Sequence, residues 1–264
     1  MKLLVESVAI LAPGLDDWAI CRPILAGEKT YHPVPLAPPV ADLLPAVERR
    51  RTGTMVKLAL AVGQQALTSA GRPVDSMATV FVSSGGDGDV INDICITLAG
   101  SDRQVSPTRF HNSVHNAPSG YWGIATHSHH PSTSLCGFNW SFAIGLLEAA
   151  AQLQVDRQEV LLVAYDAPYP EPLGGVRCVT QPFGVALLFT RHRTDRTIAE
   201  LDVSMDAHPQ EISRMNDVEL ERLRTGNPCA RALPLLASLA GAQQKQVALE
   251  RDAGQTLSVC VRAI

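Results

Sequence analysis

Apolar residues recur along this chain in short blocks separated by glycine- and proline-rich turns. Blocks with the pattern of strands span residues 2–12, 78–83, 159–165, 185–190, 198–203 and 257–261. Helical spacing of apolar residues predicts helices over residues 49–71, 90–98, 142–151, 215–224 and 232–241. Because strands and helices alternate through most of the length, we expect a layered α/β fold in which helices cover a mixed sheet.

Residues 22–45 hold many of the 18 prolines and show neither pattern. We expect an irregular surface loop there. The segment is too apolar for a free linker, so it should lie against the body of the protein.

Composition narrows the class of protein. The chain has 264 residues, of which 46% are hydrophobic and 18% charged, as in a soluble globular protein with an ample core. A net charge of −4 argues against nucleic-acid binding. No apolar segment approaches the ~20 residues that span a bilayer, and Glu6 interrupts the N-terminal apolar run too early for a signal peptide. Six scattered cysteines without a CxxC pair favour reduced thiols and a cytoplasmic location.

The central stretch, residues 106–151, combines polar chemistry with an apolar helix. It carries five of the eight histidines: His111, His115, His127, His129 and His130. His111 and His115 have the i, i+4 spacing of helical metal ligands, but Pro107, Pro118 and Gly120 argue against a stable helix there. No carboxylate lies nearby in sequence to orient an imidazole. We therefore expect no metal site.

A glycine-rich run, SSGGDGD, follows the predicted strand 78–83. Such turns can hold phosphate at a helix N-terminus. Here Asp87 and Asp89 would repel phosphate, and the later ligand positions of a calcium loop are missing. Neither a metal nor another cofactor is expected.

Cys136 lies between this polar stretch and the predicted helix 142–151. A helix N-terminus favours a thiolate, and His115 or His127 could serve as the base. This pattern indicates a stand-alone acyltransferase or condensing-type enzyme with Cys136 as nucleophile. The alternative is the usual structural role of a free cysteine, a small buried hydrophobe.

The segment SPTRFHNSVHNAPSGYWGI resembles the part of beta-ketoacyl synthases that precedes their nucleophile elbow. Together with STSL it is closer still to a short branch, the chain-length-factor-like proteins with a beta-ketoacyl synthase N-terminal domain, some of which accompany aryl polyene pathways. The runs SSGGDGD, EVLLVAYDAPYPEPL and QPFGVALLFTR are also similar to synthase segments. The resemblance extends over about residues 75–205.

The resemblance implies a thiolase-like fold, specifically one half of the duplicated ketosynthase fold. We expect a single ketosynthase-like domain over residues 1–264. Within it, residues 1–205 would form the thiolase-type half. Residues 206–264 would add shortened C-terminal helices and a strand.

Departures from the family pattern bear on activity. Aligning Asn116 with the synthase asparagine brings three later positions into register without gaps: Gly120, Ile124 and Pro131. The same register puts Asn139 at the nucleophile position and Cys136 three residues earlier, in the strand leading to the elbow. Asparagine cannot form an acyl thioester. In addition, nothing in residues 208–264 resembles the two histidine motifs of a full synthase.

The resemblance therefore implies a non-catalytic chain-length factor that pairs with a full-length beta-ketoacyl synthase in fatty acid, polyketide or aryl polyene chain elongation. An acyl carrier protein is a further candidate partner. Loss of the second half would leave an apolar surface to be covered again. Candidates for this interface or for the substrate tunnel are Asn116, Tyr121, Trp122, Phe138, Trp140 and Phe142; ordinary core packing is the alternative for the aromatic ones. A third hypothesis is a decarboxylase or carrier-binding module with Asn116 and Asn139 as amide donors.

Overall fold

The computed structural model describes residues 1–206, 208–242, 244–252 and 254–264. Its centre is an eight-stranded sheet in the order β3-β2-β4-β5-β1-β6-β8-β7. The strands are β1 Lys2–Leu11, β2 Ala78–Ser83, β3 Ser132–Cys136, β4 Val160–Asp166, β5 Phe183–Thr190, β6 Ala199–Met205, β7 Lys245–Asp252 and β8 Gln255–Ala263. β3, β2 and β4 run parallel and the other neighbours antiparallel, which confirms the expected mixed sheet.

Helices cover both faces of the sheet. In the described part of the chain they are α1 Trp18–Leu25, α2 Ala46–Arg51, α3 Thr54–Ala70, α4 Gly88–Ala99, α5 Pro107–Asn112, α6 Ala117–Thr126, α7 Ser141–Val155, α8 Leu173–Val176, α9 Val218–Gly226 and α10 Leu233–Ala240. Short 3-10 turns occur at Phe138–Trp140 and Cys229–Ala232. None of the helices among these residues is long and apolar enough to cross a bilayer.

Two apolar layers form the core, one on each face of the sheet. Leu162 faces the layer that contains α7 and α10, whereas its neighbours Leu161 and Val163 face the layer that contains α3. Both faces of β4 are thus buried, which explains why its sequence is a continuous apolar run. Gly145 lets α7 approach β2 and β4 closely, because a Cβ atom there would lie 2.7 Å from Val82 Cγ1.

Two sequence expectations before β2 need correction. The helix expected over residues 49–71 is broken at Thr52 and Gly53, both extended, so that α2 and α3 are separate. The segment 22–45 is not irregular throughout, since α1 continues to Leu25. The rest of the segment does lie against the body, where the Tyr31 hydroxyl donates to the carbonyl of Pro13 at 2.7 Å.

Two further expectations fail later in the chain. Helices α5 and α6 form where the prolines argued against them, because Pro107 and Pro118 occupy first-turn positions, at which a missing N–H breaks no helical bond. Beyond residue 205 the chain adds two strands rather than one, since β7 pairs with β8 at the edge of the sheet. Both strands extend the same eight-stranded sheet.

Candidate functional site

The carboxyl ends of the three parallel strands meet at one edge of the sheet, a common place for ligand sites. Ser83 of β2 is paired in register with Cys136 of β3. Ser84, the next residue, donates to Oδ1 of Asp166 at the end of β4, through its backbone N–H at 2.9 Å and its hydroxyl at 2.8 Å. Parallel pairing therefore gathers these side chains, although they are far apart in sequence.

Asp166 is fully buried and held by hydrogen bonds. Besides the two bonds from Ser84, its Oδ2 accepts one from the buried thiol of Cys229 at 3.2 Å. Burial raises the pKa of Asp166 to about 6, against the opposing effect of these hydrogen bonds. Burial also raises the pKa of Cys229. This cluster is not predictable from the sequence, because Cys229 comes from the C-terminal part of the chain and belongs to no motif.

Cys136 is the last residue of β3 and is exposed. Its Sγ donates to the carbonyl of Ser84 at 3.3 Å. Cys136 thus ends the strand that leads to the elbow, which we define as residues 137–140, between β3 and α7. Helix α7 begins only at Ser141, so Cys136 is outside the first turn, where a helix dipole acts.

Of the two histidines considered as a base, only His115 lies near Cys136. Its Nε2 is 3.0 Å from the hydroxyl of Ser83, and that hydroxyl lies 2.6 Å from the carbonyl of Gly85. Because the hydroxyl has one hydrogen, donation to Gly85 makes Nε2–H of His115 the donor to Ser83. Burial lowers the pKa of His115, which favours its neutral form. His127 caps the C-terminus of α6, so the whole length of β3 separates it from Cys136.

The histidine-rich stretch does not gather a metal site in the described residues, which contain no group of three or more His, Cys, Asp or Glu able to hold a metal ion. The His111 ring is exposed and packs edge-on against Tyr121, at 6.0 Å between centroids. His115 instead faces Ser83. Asp87, expected to repel phosphate, caps α4 by accepting from the N–H of Val90 at 3.2 Å.

The elbow has an unusual backbone. Phe138 has φ of +52°, in the left-handed region that an aromatic residue rarely adopts. Phe138 is 52% exposed, and the guanidinium carbon of Arg177 lies 3.6 Å from its ring centroid. Nη1 of Arg177 also donates to Oδ1 of Asn139 at 2.9 Å. Arg177 therefore contacts two consecutive elbow residues. Arg177 was not predicted from the sequence because it lies between two family-like runs, which end at residue 173 and begin at residue 181, and belongs to neither.

Residues 26–252 match the family described as "Beta-ketoacyl synthase, N-terminal domain". The chain belongs to the beta-ketoacyl synthase N-terminal domain family. No curated protein sequence matches this family member significantly.

Solved structures agree in fold with this ketosynthase-family chain. A chain from the complex of the ketosynthase ApeO with its chain length factor ApeC of Xenorhabdus doucetiae is 22% identical, with a TM-score of 0.73 and coverage of 99% of each chain. The ishigamide ketosynthase/chain length factor gives 13% identity and a TM-score of 0.71, over 100% of this chain and 99% of that one. A chain from AntDE:AntF, described as a type II polyketide synthase acyl-carrier protein in complex with its ketosynthase, is 11% identical. Its TM-score is 0.76, and the match covers 100% of this chain and 99% of that chain. The fold is thus thiolase-like, as expected.

The remaining site candidates of this ketosynthase-family chain differ in how deeply they are buried. Trp122 and Phe142 are buried within the chain, so both are core residues rather than part of a bare surface. Trp140 is half-buried, with an indole N–H that has no hydrogen-bond partner among the described residues. Phe138 and Asn116 are exposed. Tertiary packing therefore divides the aromatic candidates into core and surface.

An apolar groove of about 440 Å³ runs between α5 and α6. We call it the α5–α6 groove; among the side chains that line it are Phe110, Val114, Asn116, Tyr121 and Ile124. Phe110 is 67% exposed, and Val114 and Ile124 are exposed as well. Nearby, α6 packs against β3, the edge strand of the sheet, whose outer side pairs with no described strand. The ketosynthase-family chain thus presents apolar side chains next to an open sheet edge.

Proposed function

We propose that this protein is a non-catalytic, ketosynthase-like subunit, a chain-length factor. It pairs with a full-length beta-ketoacyl synthase during fatty acid, polyketide or aryl polyene chain elongation. Residues 1–264 act as one domain, with residues 1–205 as the thiolase-type half and residues 206–264 as a shortened addition. The observation that supports the proposal is the hydrogen bond from Arg177 to the amide of Asn139, the residue that the family resemblance puts at the nucleophile position.

Decarboxylative condensation needs a thiolate to hold the acyl chain and donors to stabilise an enolate. The amide of Asn139 cannot form the acyl thioester. Cys136 donates to the carbonyl of Ser84, and its nearest histidine, His115, donates to Ser83. No hydrogen bond joins Cys136 to an imidazole in the described residues. In the described residues, therefore, the elbow and its surroundings do not bring a thiol nucleophile and a base into contact.

The open edge of β3 and the α5–α6 groove support a partner on this face. An unpaired edge strand exposes backbone donors and acceptors that readily pair with another chain. Exposed apolar patches next to such an edge are typical of protein interfaces. Phe138 and Arg177 add a stacked aromatic–arginine pair, and these two residue types are enriched at interface hot spots.

The structural neighbours support a ketosynthase as the partner. Two of them are described as a ketosynthase with a chain length factor, and a third as a ketosynthase with an acyl-carrier protein. By analogy, the first partner is a ketosynthase that supplies the active cysteine, and an acyl carrier protein then binds the assembled pair. Asn116 and the groove residues would line the shared acyl tunnel.

Co-expression with a candidate cognate ketosynthase tests the proposal. We expect the two chains to elute together at 1:1, and Phe138→Ala to weaken the pair at least tenfold. Val155→Ala is the matched control, because Val155 is exposed at the opposite end of α7. Elution as separate species would contradict the proposal.

The second candidate function, an enzyme with Cys136 as nucleophile, has one observation in its favour: this thiol is exposed at the edge of the sheet where parallel strands end. A cysteine-reactive acyl probe separates the two functions. We expect the probe to label the partner ketosynthase and to leave Cys136 unlabelled, with Cys136→Ser keeping chain elongation by the pair. Stoichiometric native labelling of Cys136 would favour the stand-alone enzyme.

A further inference from the structure

The proline-rich segment before α2 is fixed to the body of the protein at both ends and exposed in between. At its start Tyr31 is buried and donates its hydroxyl to the carbonyl of Pro13. At its end Ala41 and Leu44 are buried. We call residues 34–40, VPLAPPV, the proline segment; it belongs to no helix or strand. The proposed pairing with a ketosynthase gives it no role.

Burial within the proline segment repeats every third residue. Leu36 and Pro39 are half-buried, and Leu36 packs against the apolar layer that contains α3. The other members of the segment are exposed: Val34, Pro35, Ala37, Pro38 and Val40. A period of three is that of the polyproline II helix, which has about 3 residues per turn and no internal hydrogen bonds. The pattern therefore indicates a polyproline II helix with one row of side chains toward the body.

The other two rows of this helix face solvent. Pro35 and Pro38 form one row, and Val34, Ala37 and Val40 form the second. Val34 is 61% exposed and Val40 is 56% exposed. Each of two successive turns thus presents an apolar residue followed by a proline. Ligands of the form PxxP that bind aromatic-lined grooves have their prolines at this spacing.

The backbone and charge of the proline segment argue against other kinds of protein surface as its partner. No residue from 34 to 40 is charged, so a charged surface finds no counter-charge there. Pro35, Pro38 and Pro39 have no N–H, so the segment cannot pair as a β-strand. Among the residues that the structure describes, the carbonyls of residues 35–40 accept no hydrogen bond. They remain available to the O–H of tyrosine or the N–H of tryptophan in an aromatic groove.

We propose that the proline segment is a docking site for a protein domain whose groove is lined by aromatic side chains. The rings of the groove pack against the rows of Pro35 and Val34, and its tyrosine or tryptophan donors bond to the free carbonyls. Because both ends are held, the segment is ordered before binding and loses little conformational entropy on binding. It contributes no residue to the elbow or to the α5–α6 groove, so this site does not depend on the pairing with a ketosynthase.

Selection from a library of SH3 domains tests the proposal on the full chain. The library keeps the aromatic groove constant and randomises the loops around it. We expect enriched domains to bind the parent chain, and Pro35→Ala combined with Pro38→Ala to weaken each of them about tenfold or more, as measured by titration calorimetry. Pro209→Ala is the matched control, because Pro209 is exposed outside the segment, and it should leave the affinity unchanged. Enrichment of no domain, or only of domains insensitive to the paired substitution, would overturn the proposal.

A synthetic peptide of residues 30–42 tests whether the docking site is preformed. We expect a selected domain to bind the full chain several times more tightly than the peptide, which must lose conformational freedom on binding. Leu36→Ser should weaken binding to the full chain, because it loosens the row that faces the body, but not binding to the peptide. Thermal unfolding checks that each variant of the chain is folded. Equal or tighter binding of the peptide would refute a preformed site.

Discussion

Arg177 holds Asn139 by a hydrogen bond of 2.9 Å from Nη1 to Oδ1, while its guanidinium carbon lies 3.6 Å above the ring of Phe138. The residue that replaces a nucleophile in the proposed function is therefore tied to the loop after β4. Its amide has a structural partner rather than a substrate. We expect the geometry of the elbow to depend on this contact.

We expect Asn139→Ala to destabilise the fold by about 1–3 kcal/mol, because it leaves a half-buried guanidinium N–H without its acceptor. Asn139→Asp keeps an oxygen toward Arg177 and should be close to the parent in stability. Urea unfolding measures both. A double-mutant cycle with Arg177→Ala should give a coupling energy of about 1 kcal/mol; additive effects would show that the two side chains do not interact.

Because the backbone of Phe138 is left-handed, glycine at this position should give a more stable protein than alanine, which is the reverse of the order in a helix. Left-handed geometry costs an L-residue about 1–2 kcal/mol, and glycine avoids this cost. Phe138→Gly should therefore be more stable to urea than Phe138→Ala by about 1 kcal/mol. Phe110, which is also exposed but lies in helix α5, is the control. In helix α5, Phe110→Ala should be more stable than Phe110→Gly by about 1 kcal/mol. The same ranking at both sites would argue against the left-handed conformation.

Asp166 should make stability depend on pH between about 4 and 6. Burial raises its pKa from 3.8 to about 6, so the folded state favours the protonated carboxyl. The resulting stabilisation is present below the unfolded pKa and is lost as pH rises through about 6.

The matched comparison is Asp166→Asn, which has no titrating group. From pH 4 to pH 7 the parent should lose about 2 kcal/mol of unfolding free energy relative to this variant. Urea titrations at several pH values measure the difference, in which the effects of the other carboxylates cancel. A constant difference across this range would contradict a raised pKa at Asp166.

Two helical glycines should respond in opposite ways to alanine. A Cβ atom at Gly145 would meet Val82 Cγ1 at 2.7 Å and Leu162 Cδ1 at 3.0 Å, so Gly145→Ala forces α7 away from the sheet. We expect a loss of about 1–3 kcal/mol. Gly120 in α6 has nothing within 4 Å, so Gly120→Ala should gain up to about 1 kcal/mol from helix propensity. Thermal unfolding of the two variants checks both expectations. A higher Tm for Gly145→Ala would show that a Cβ atom fits between α7 and the sheet.

Much of the secondary structure follows from local pattern. The apolar runs of β2, β4 and β5 and the spacing in α3 and α7 are strong enough to be read directly, because burial of a strand or helix face constrains every second or every third to fourth residue. Local pattern does not predict α5 and α6, because Pro107 and Pro118 resemble helix breakers although both stand in the first turn of a helix. β7 was missed because its charged and polar ends obscure the apolar centre.

The sequence by itself determined the family, the mixed α/β fold, and the strand position of Cys136 ahead of the elbow. These properties depend on motifs and on periodicity, which are local. Only the tertiary structure decided that Trp122 is core while Phe138 is exposed, that Arg177 binds Asn139, and that Cys229 meets Asp166. These contacts join residues 38 and 63 positions apart. They form because parallel pairing and helix packing bring separate segments together, and no spacing rule along the chain encodes that approach.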